Sequence, residues 1–90
     1  IKGHKFVNKV ILSGKILEIK YRLVDRGKVY GIAFVTIKER ENIIQLTMVN
    51  RLADKIFRGF QIGDYILVEG KIMKSKTNLI VRVKEFQKIY

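Results

Sequence analysis

The amino-acid sequence predicts a small, mostly β domain with five strands and one short helix between the third and fourth strands. Three observations support this prediction. The chain has 90 residues, which suits a single domain. Apolar and β-branched residues recur in five separate runs, and 48% of all residues are hydrophobic, so the chain can build a core. Residues 51–60 alone carry apolar residues at the spacing of a helix.

The strands are runs of β-forming residues that end at turn signals. The first run, 5–22, is long and holds Gly14 near its middle, which predicts a bulge or bend in the strand. Gly70 predicts a similar bend in the fourth strand. Residues 25–27 are a turn signal, and residues 74–78 are a predicted hairpin loop. The predicted strands are 5–22, 28–38, 43–49, 65–73 and 79–86.

Residues 51–60 are the predicted helix. Leu52, Ile56 and Phe60 are four residues apart, which places them on one helix face. Asn50 precedes this segment and is the predicted N-cap, because Asn side chains accept hydrogen bonds from the first free amides of a helix.

The element order β-β-β-α-β-β is typical of the OB-fold, a five-stranded and partly open Greek-key barrel. Glycines within strands agree with this fold, because a small barrel requires strongly coiled strands. We therefore predict that residues 1–90 form a single OB-fold domain, all-β apart from one short helix. OB-folds bind oligonucleotides and oligosaccharides on a face flanked by the loops between strands one and two and between strands four and five.

The charge of the chain is strongly positive and unevenly distributed. Nineteen Lys and Arg residues stand against eight Asp and Glu residues, a formal net charge of +11. Residues 1–28 carry +6 and residues 71–90 carry +5, whereas residues 29–70 are neutral overall. A charge this large on so small a domain indicates an anionic partner. The excess falls on the first strand and on the two loops that flank an OB-fold binding face.

The composition argues against several kinds of site. The chain has no cysteine and one histidine, His4, which disfavours a disulfide scaffold, a thiolate or histidine metal site and a Ser-His-Asp triad. No apolar run approaches the ~20 residues of a membrane span, and no signal peptide is visible. Gly-rich phosphate loops and nucleophile–base pairs are also absent. We therefore predict no catalysis, no cofactor, no metal and no membrane partner.

The candidate binding residues are cations and aromatic rings on the predicted binding face and its loops. Tyr30 and Phe34 share one side of the second strand with Lys28, and the sequence leaves open whether this side faces outward or into the core. For base stacking we predict Tyr21, Tyr30 and Phe34. For phosphate contact we predict Lys9, Lys15, Arg22, Arg26, Lys28, Lys74, Lys76, Arg82 and Lys84.

Two parts of the chain resemble bacterial-type single-stranded-DNA-binding proteins (SSB). Residues 7–16 read V-N-K-V-I-L-S-G-K-I and resemble the family's first strand. The sequence R-L-A-D-K at 51–55, followed by I-G-D-Y-I-L-V-E-G-K-I at 62–72, resembles the family's helix and fourth strand at the matching separation. The resemblance implies sequence-non-specific binding of single-stranded DNA in replication or repair, by a homo-oligomer that is a dimer or a tetramer.

The chain also departs from that family's pattern. It has no tryptophan, and Ile43 and Val49 stand where the family has a Trp and a Phe for base stacking. The acidic C-terminal tail of the family has no counterpart before Tyr90, and the hairpin between the last two strands is short. Similar Trp-poor, tailless relatives include primosomal replication protein N and SSB-like proteins of plastids. With fewer stacking rings, we expect weaker binding that depends more strongly on salt.

Two other functions stay open at this point. One is a primosome-type accessory protein, which would bind DNA together with a replication protein. The other is an RNA-binding OB domain, because basic loops suit RNA equally well. Ile and Lys make up 27 residues and Pro is absent, a composition that points to an AT-rich genome. We therefore expect an intracellular location with DNA, in a bacterial cytoplasm or in an organelle such as a plastid.

Overall fold

A computed structural model describes residues 9–73 and 79–89, which form a closed five-stranded β-barrel with one helix. The elements are β1 (Lys9–Asp25), β2 (Val29–Glu39), β3 (Asn42–Val49), α1 (Arg51–Gly59), β4 (Tyr65–Met73) and β5 (Leu79–Ile89). The strands follow each other around the barrel in the order β1-β2-β3-β5-β4. β3 and β5 pair in parallel, and the other neighbours pair antiparallel. The predicted element order and the OB-fold are confirmed.

Two strands are longer than the sequence predicts at their C-terminal ends. β1 continues beyond residue 22 because it stays paired with β2 as far as the pair Asp25–Val29. β5 continues beyond residue 86 because it stays paired with β4 as far as the pair Ile89–Tyr65. The predicted hairpin loop at 74–78 lies outside the described residues.

β1 pairs with two different strands, and it must bend to do so. Its first half pairs with β4, and its second half pairs with β2. The register against β2 shifts between Ile16 and Glu18, so the bulge of this strand lies at Leu17 and not at Gly14, the residue for which the sequence predicts a bulge or bend. Gly14 instead allows two strands to approach closely, because a Cβ there would lie 2.8 Å from the carbonyl oxygen of Lys38.

The predicted irregularity at Gly70 is confirmed. The register between β4 and β5 shifts between Glu69 and Gly70. A Cβ at Gly70 would collide with the backbone carbonyl oxygen of Arg82 on the neighbouring strand. Glycine therefore lets β4 and β5 stay paired through the tight curvature of the barrel.

The core is apolar and is supplied by all five strands and the helix. Among residues 9–73 and 79–89, no charged or polar side chain is buried. β2 and β3 alternate between buried and half-buried residues over most of their length, so the polar side chains lie on the outward faces. The buried residues are Ile16, Ala33, Val35, Ile37, Ile44, Leu46, Met48, Ala53, Ile56, Ile66, Val68, Val81, Val83 and Phe86.

Helix α1 packs against the barrel through Ala53 and Ile56, which are fully buried. Asn50 occupies the N-cap position, as predicted, but its side chain makes no capping hydrogen bond. Its φ of 55° turns the chain sharply from β3 into the helix, and its backbone N–H donates to the carbonyl of Gly31 at 2.8 Å. The left-handed φ is one that Asn tolerates better than most residues.

Candidate nucleic-acid interface

The outer face of β2 carries the two aromatic residues whose direction the sequence leaves open. Ala33 and Val35 are fully buried and point into the barrel. Because neighbouring strand residues point to opposite faces, Tyr30, Ile32 and Phe34 lie on the outside, where each is half-buried. Tyr30 and Phe34 therefore share an accessible surface and are not part of the core.

Strand pairing places a cation on each side of Phe34. Lys20 of β1 lies directly opposite Phe34, Thr47 of β3 lies on its other side, and Arg82 of β5 is the next residue in the same row. Neighbouring strands are about 4.8 Å apart, so the row puts Lys20 one strand spacing and Arg82 two strand spacings from the aromatic residue. A base stacked on this ring would have a positive charge beside it on either side.

The same row of cations continues around the barrel. Arg82 lies opposite Lys71 of β4, and Lys71 lies opposite Lys9 of β1. Lys9 places its Nζ 3.4 Å from a carboxylate oxygen of Glu69. This ion pair is partly exposed, and pairs of that kind contribute about 1 kcal/mol or less, so a phosphate can compete for Lys9.

Two other rows bring further predicted residues to the outer surface. Arg22 lies opposite Ile32, on the side of Phe34 nearer the β1–β2 turn. Lys15 lies opposite Lys38, at the end of the β1–β2 pair that is farther from the β1–β2 turn. We name the central group on this surface the cationic strip, which consists of Lys20, Arg22, Tyr30, Phe34 and Arg82.

A cleft of about 500 Å³ opens at the β1–β2 end of the cationic strip. It brings together three residues that the sequence predicts for the site, namely Lys28, Tyr30 and Arg82. Two cations beside one half-buried ring form a concave surface that fits a stacked base and its phosphate. The cleft is lined by Lys28, Val29, Tyr30, Val49, Asn50 and Arg82.

The remaining predicted phosphate contacts are not gathered at this cleft. Arg26 is exposed in the turn between β1 and β2, and Lys84 is exposed on β5 next to the register shift. Lys74 and Lys76 lie outside the described residues. The predicted contribution of the β4–β5 loop therefore stays a prediction.

Tyr21 lies on the other side of the sheet from the cationic strip, although the sequence predicts it as a stacking residue. It is paired with Ala33, whose side faces the core, and its ring is stacked on Phe57 of α1 with 4.5 Å between ring centroids. Its hydroxyl donates a hydrogen bond of 2.7 Å to Asp54 Oδ1. Tyr21 thus connects β1 to the helix, and it also lines one cleft with Phe34 and another with Tyr30.

The environment of Tyr21 holds its hydroxyl in the protonated form. The hydrogen bond to Asp54 raises the pKa of Tyr21 above its ordinary value of 10.0, and partial desolvation and the negative charge of Asp54 act in the same direction. The room for the hydroxyl comes from Gly31, where a Cβ would lie 2.6 Å from the Tyr21 oxygen.

Sequence reasoning missed Lys20 and Lys71, which the structure places in the row that contains Phe34 and Arg82. Lys20 could have been predicted from the sequence, because it lies two residues from Arg22 in β1 and therefore shares its face. Lys71 could not have been predicted, since its position beside Arg82 depends on the β4–β5 register.

Metal-binding clusters and membrane-spanning helices are both absent from the described part of the chain. It contains no group of three or more His, Cys, Asp or Glu side chains that could hold a metal ion. No helix in it is long and apolar enough to cross a membrane.

Comparisons with known proteins agree with the fold just described. Residues 10–89 match the tRNA anti-codon family, described as an OB-fold nucleic acid binding domain. No curated protein matches the chain by sequence.

Three solved structures are similar in fold. The SSB domain of a Synechococcus protein has a TM-score of 0.80 at 15% identity and covers 94% of this chain and 99% of its own. The protein PriB from Ralstonia solanacearum has a TM-score of 0.74 at 11% identity, with 94% and 100% covered. Single-stranded DNA binding protein from Thermus aquaticus has a TM-score of 0.73 at 20% identity, with 93% of this chain and 41% of its own covered. At these identities the likeness shows the fold, and at that level it supports the resemblance seen in the sequence.

Proposed function

Because this chain belongs to the family of OB-fold nucleic acid binding domains, we propose that it binds single-stranded DNA across the cationic strip, without sequence specificity, in replication or repair. The family has a fold for binding rather than for catalysis. The observation that carries the proposal is the position of Phe34, half-buried on the outer face with Lys20 and Arg82 on either side.

The chemistry of the cationic strip supports a single strand rather than a duplex. A single strand can turn its bases toward Tyr30 and Phe34 while its phosphates meet the flanking cations. The stacked bases of a duplex are not available to these rings. Stacking and phosphate contact do not read base edges, so little preference for sequence is expected.

The mode of binding is expected to be strongly electrostatic. Ile43 and Val49 lie on the outer face of β3, where the sequence resemblance implies a Trp and a Phe. Aliphatic side chains stabilise a bound base less than an aromatic ring does, since base stacking on a ring contributes about 1–3 kcal/mol. Phosphate contacts then supply a larger share of the affinity, and the affinity falls steeply with salt.

The first test is a fluorescence-anisotropy titration of labelled oligo-dT, with duplex DNA of the same length alongside, at several salt concentrations. The proposal requires clear discrimination in favour of the single strand and affinity that declines as salt rises. Equal and weak binding to both forms would reject it, because that result describes a generic interaction between a basic protein and a polyanion.

RNA is the second candidate ligand, and the matching family's tRNA anti-codon name favours keeping it in the test. Competition of unlabelled oligo-dT and oligo-U for the bound probe distinguishes the two. A site for DNA prefers oligo-dT, whereas a site that uses the 2′-hydroxyl group prefers oligo-U.

We propose further that the protein acts as a homo-oligomer. Ile11 and Tyr65 are exposed by 63% and 48% on the outer faces of β1 and β4, away from the cationic strip. Large apolar side chains exposed on the outer face of a strand favour burial against a second copy. Light scattering coupled to size exclusion, with Ile11→Lys as the variant, measures this: the variant shifts toward the monomer if these strands form the contact.

A further inference from the structure

The β1–β2 hairpin extends beyond the barrel and leaves part of its inner face uncovered. Leu23 lies opposite Gly31, on the side that faces the core farther along β2. Val29 lies opposite Asp25 near the tip of the same hairpin. Leu23 and Val29 are exposed by 64% and 63%, which is unusual for aliphatic residues on a core-facing side.

A second cleft, of about 360 Å³, lies between this uncovered face and the start of α1. It shares Val29, Tyr30 and Asn50 with the 500 Å³ cleft at the end of the cationic strip. Tyr30 therefore lines both clefts, so the second cleft adjoins the end of the cationic strip at this ring.

The second cleft is lined by one positively and one negatively charged side chain. Arg51, the first residue of α1, lines the cleft and is exposed, and no carboxylate among the described residues lies within ion-pair distance of it. Asp54 also lines the cleft, and one of its oxygens already accepts the hydrogen bond from Tyr21. Its negative charge repels phosphate, but its other oxygen can accept a hydrogen bond from a base N–H.

We propose that the second cleft holds an additional nucleotide of the single strand bound on the cationic strip, with its base against Leu23 and Val29 and its phosphate at Arg51. The inference rests on the proposed function. Continuity with the cationic strip and the unpaired arginine favour this occupant. Arg51 and Arg82 then hold the backbone on opposite sides of Tyr30.

The test compares two lengths of oligo-dT, of about six and about twelve nucleotides, a range that spans typical OB-fold site sizes. The short probe is expected to occupy the cationic strip alone, whereas the long probe is expected to extend into the second cleft. Arg51→Gln and Leu23→Ser are the variants, and both replace exposed side chains, so circular dichroism is expected to show an intact fold. Arg40→Gln is the control, because it removes the same charge from an exposed position in the β2–β3 turn.

The expected result is a several-fold loss of affinity for the long probe in both variants, with little change for the short one. Arg51→Gln is expected also to reduce the salt slope for the long probe by about 0.7, the value of one phosphate contact on a single strand. Arg40→Gln is expected to leave the preference for the long probe as it is in the unaltered protein.

Two results would overturn the inference, and they are distinguishable. If the unaltered protein binds both probes and the two variants bind them equally well, the cationic strip keeps its function and the second cleft has no part in it. If the unaltered protein binds neither probe above the level of duplex DNA, the proposed function fails and the inference fails with it.

Discussion

At the scale of single residues, Phe34 has the most direct part in the proposed interface. It lies on the outer face of β2, flanked by Lys20 on one side and by Thr47 and Arg82 on the other. Replacing it with Ala is expected to weaken single-strand binding by about 1–3 kcal/mol, the usual contribution of a stacked aromatic residue. Anisotropy titration with oligo-dT measures the loss.

Two conservative variants separate stacking from apolar contact at this position. Phe34→Tyr keeps the ring and is expected to bind almost as well as the unaltered protein. Phe34→Leu keeps apolar volume without the ring, so it is expected to lose most of what Phe34→Ala loses. Equal affinity of the Leu, Tyr and unaltered proteins would show that the ring does not stack on a base.

Tyr21 has a structural role, and an alkaline titration of its hydroxyl group tests that role. The hydrogen bond to Asp54 raises the pKa of Tyr21, so the folded state favours the neutral hydroxyl. The resulting stabilisation is fully present below the ordinary pKa of 10.0 and is lost as the pH rises through the raised value. Tyrosinate absorbance in an alkaline titration is expected to show one late-titrating tyrosine, which Tyr21→Phe removes.

Asp54→Ala provides the matching control. Without its acceptor, Tyr21 is expected to titrate closer to the ordinary pKa, and the stability of the protein near pH 8 is expected to fall. An unchanged titration in this variant would mean that Asp54 does not determine the ionisation of Tyr21.

At the scale of elements, replacement by Ala is expected to change the stability of the protein in opposite directions at two glycines. Gly70 lies at the β4–β5 bulge, where a Cβ would strike the backbone of Arg82, which cannot move without distorting β5. Gly59 lies in α1 with nothing within 4 Å of a Cβ. Gly70→Ala is expected to lower the free energy of unfolding by about 1–3 kcal/mol through overpacking. Gly59→Ala is expected to raise it by about 0.4–1 kcal/mol, because Ala has less backbone freedom when unfolded.

Urea denaturation of the two variants measures both effects. Gly70→Ala is expected to weaken DNA binding as well, because Arg82 belongs to the cationic strip and moves with β5. Gly59→Ala is expected to leave DNA binding unchanged. If Gly70→Ala were as stable as the unaltered protein, β4 and β5 would have to adjust at the bulge without strain.

At the scale of the whole molecule, the net charge of +11 is distributed over specific surfaces. Lys20 and Arg82 flank the ring in the cationic strip, whereas Arg40 and Arg58 are exposed elsewhere, in the β2–β3 turn and in the last turn of α1. Replacing both Lys20 and Arg82 with Gln is expected to reduce the slope of log K against log salt by about 1.4, because each phosphate contact on a single strand contributes about 0.7.

The double variant of Arg40 and Arg58 to Gln carries the same total charge and is its control. It is expected to change the salt slope much less, since neither residue lies on the cationic strip. If both double variants flattened the slope equally, the binding would follow total charge and not the arrangement of the surface.

The sequence alone determined the order of the elements and the groups of residues that share a face. The alternation in β2 and the helical spacing at 51–60 are local properties, and the structure shows a strand and a helix there. The grouping of Tyr30 with Phe34 follows from the two-residue period of a strand. The concentration of charge at both ends of the chain is likewise a property of composition.

The tertiary structure decided which face is outward and which distant residues meet. Alternation cannot tell the inner side of β2 from the outer side, and that choice followed from the packing of Ala33 and Val35 with the rest of the core. The pairing of Tyr21 with Asp54, and the row that joins Lys20 to Arg82, depend on strand register and helix placement. Register is set by the fit of the whole core, since a slip of one residue would turn every buried side chain outward.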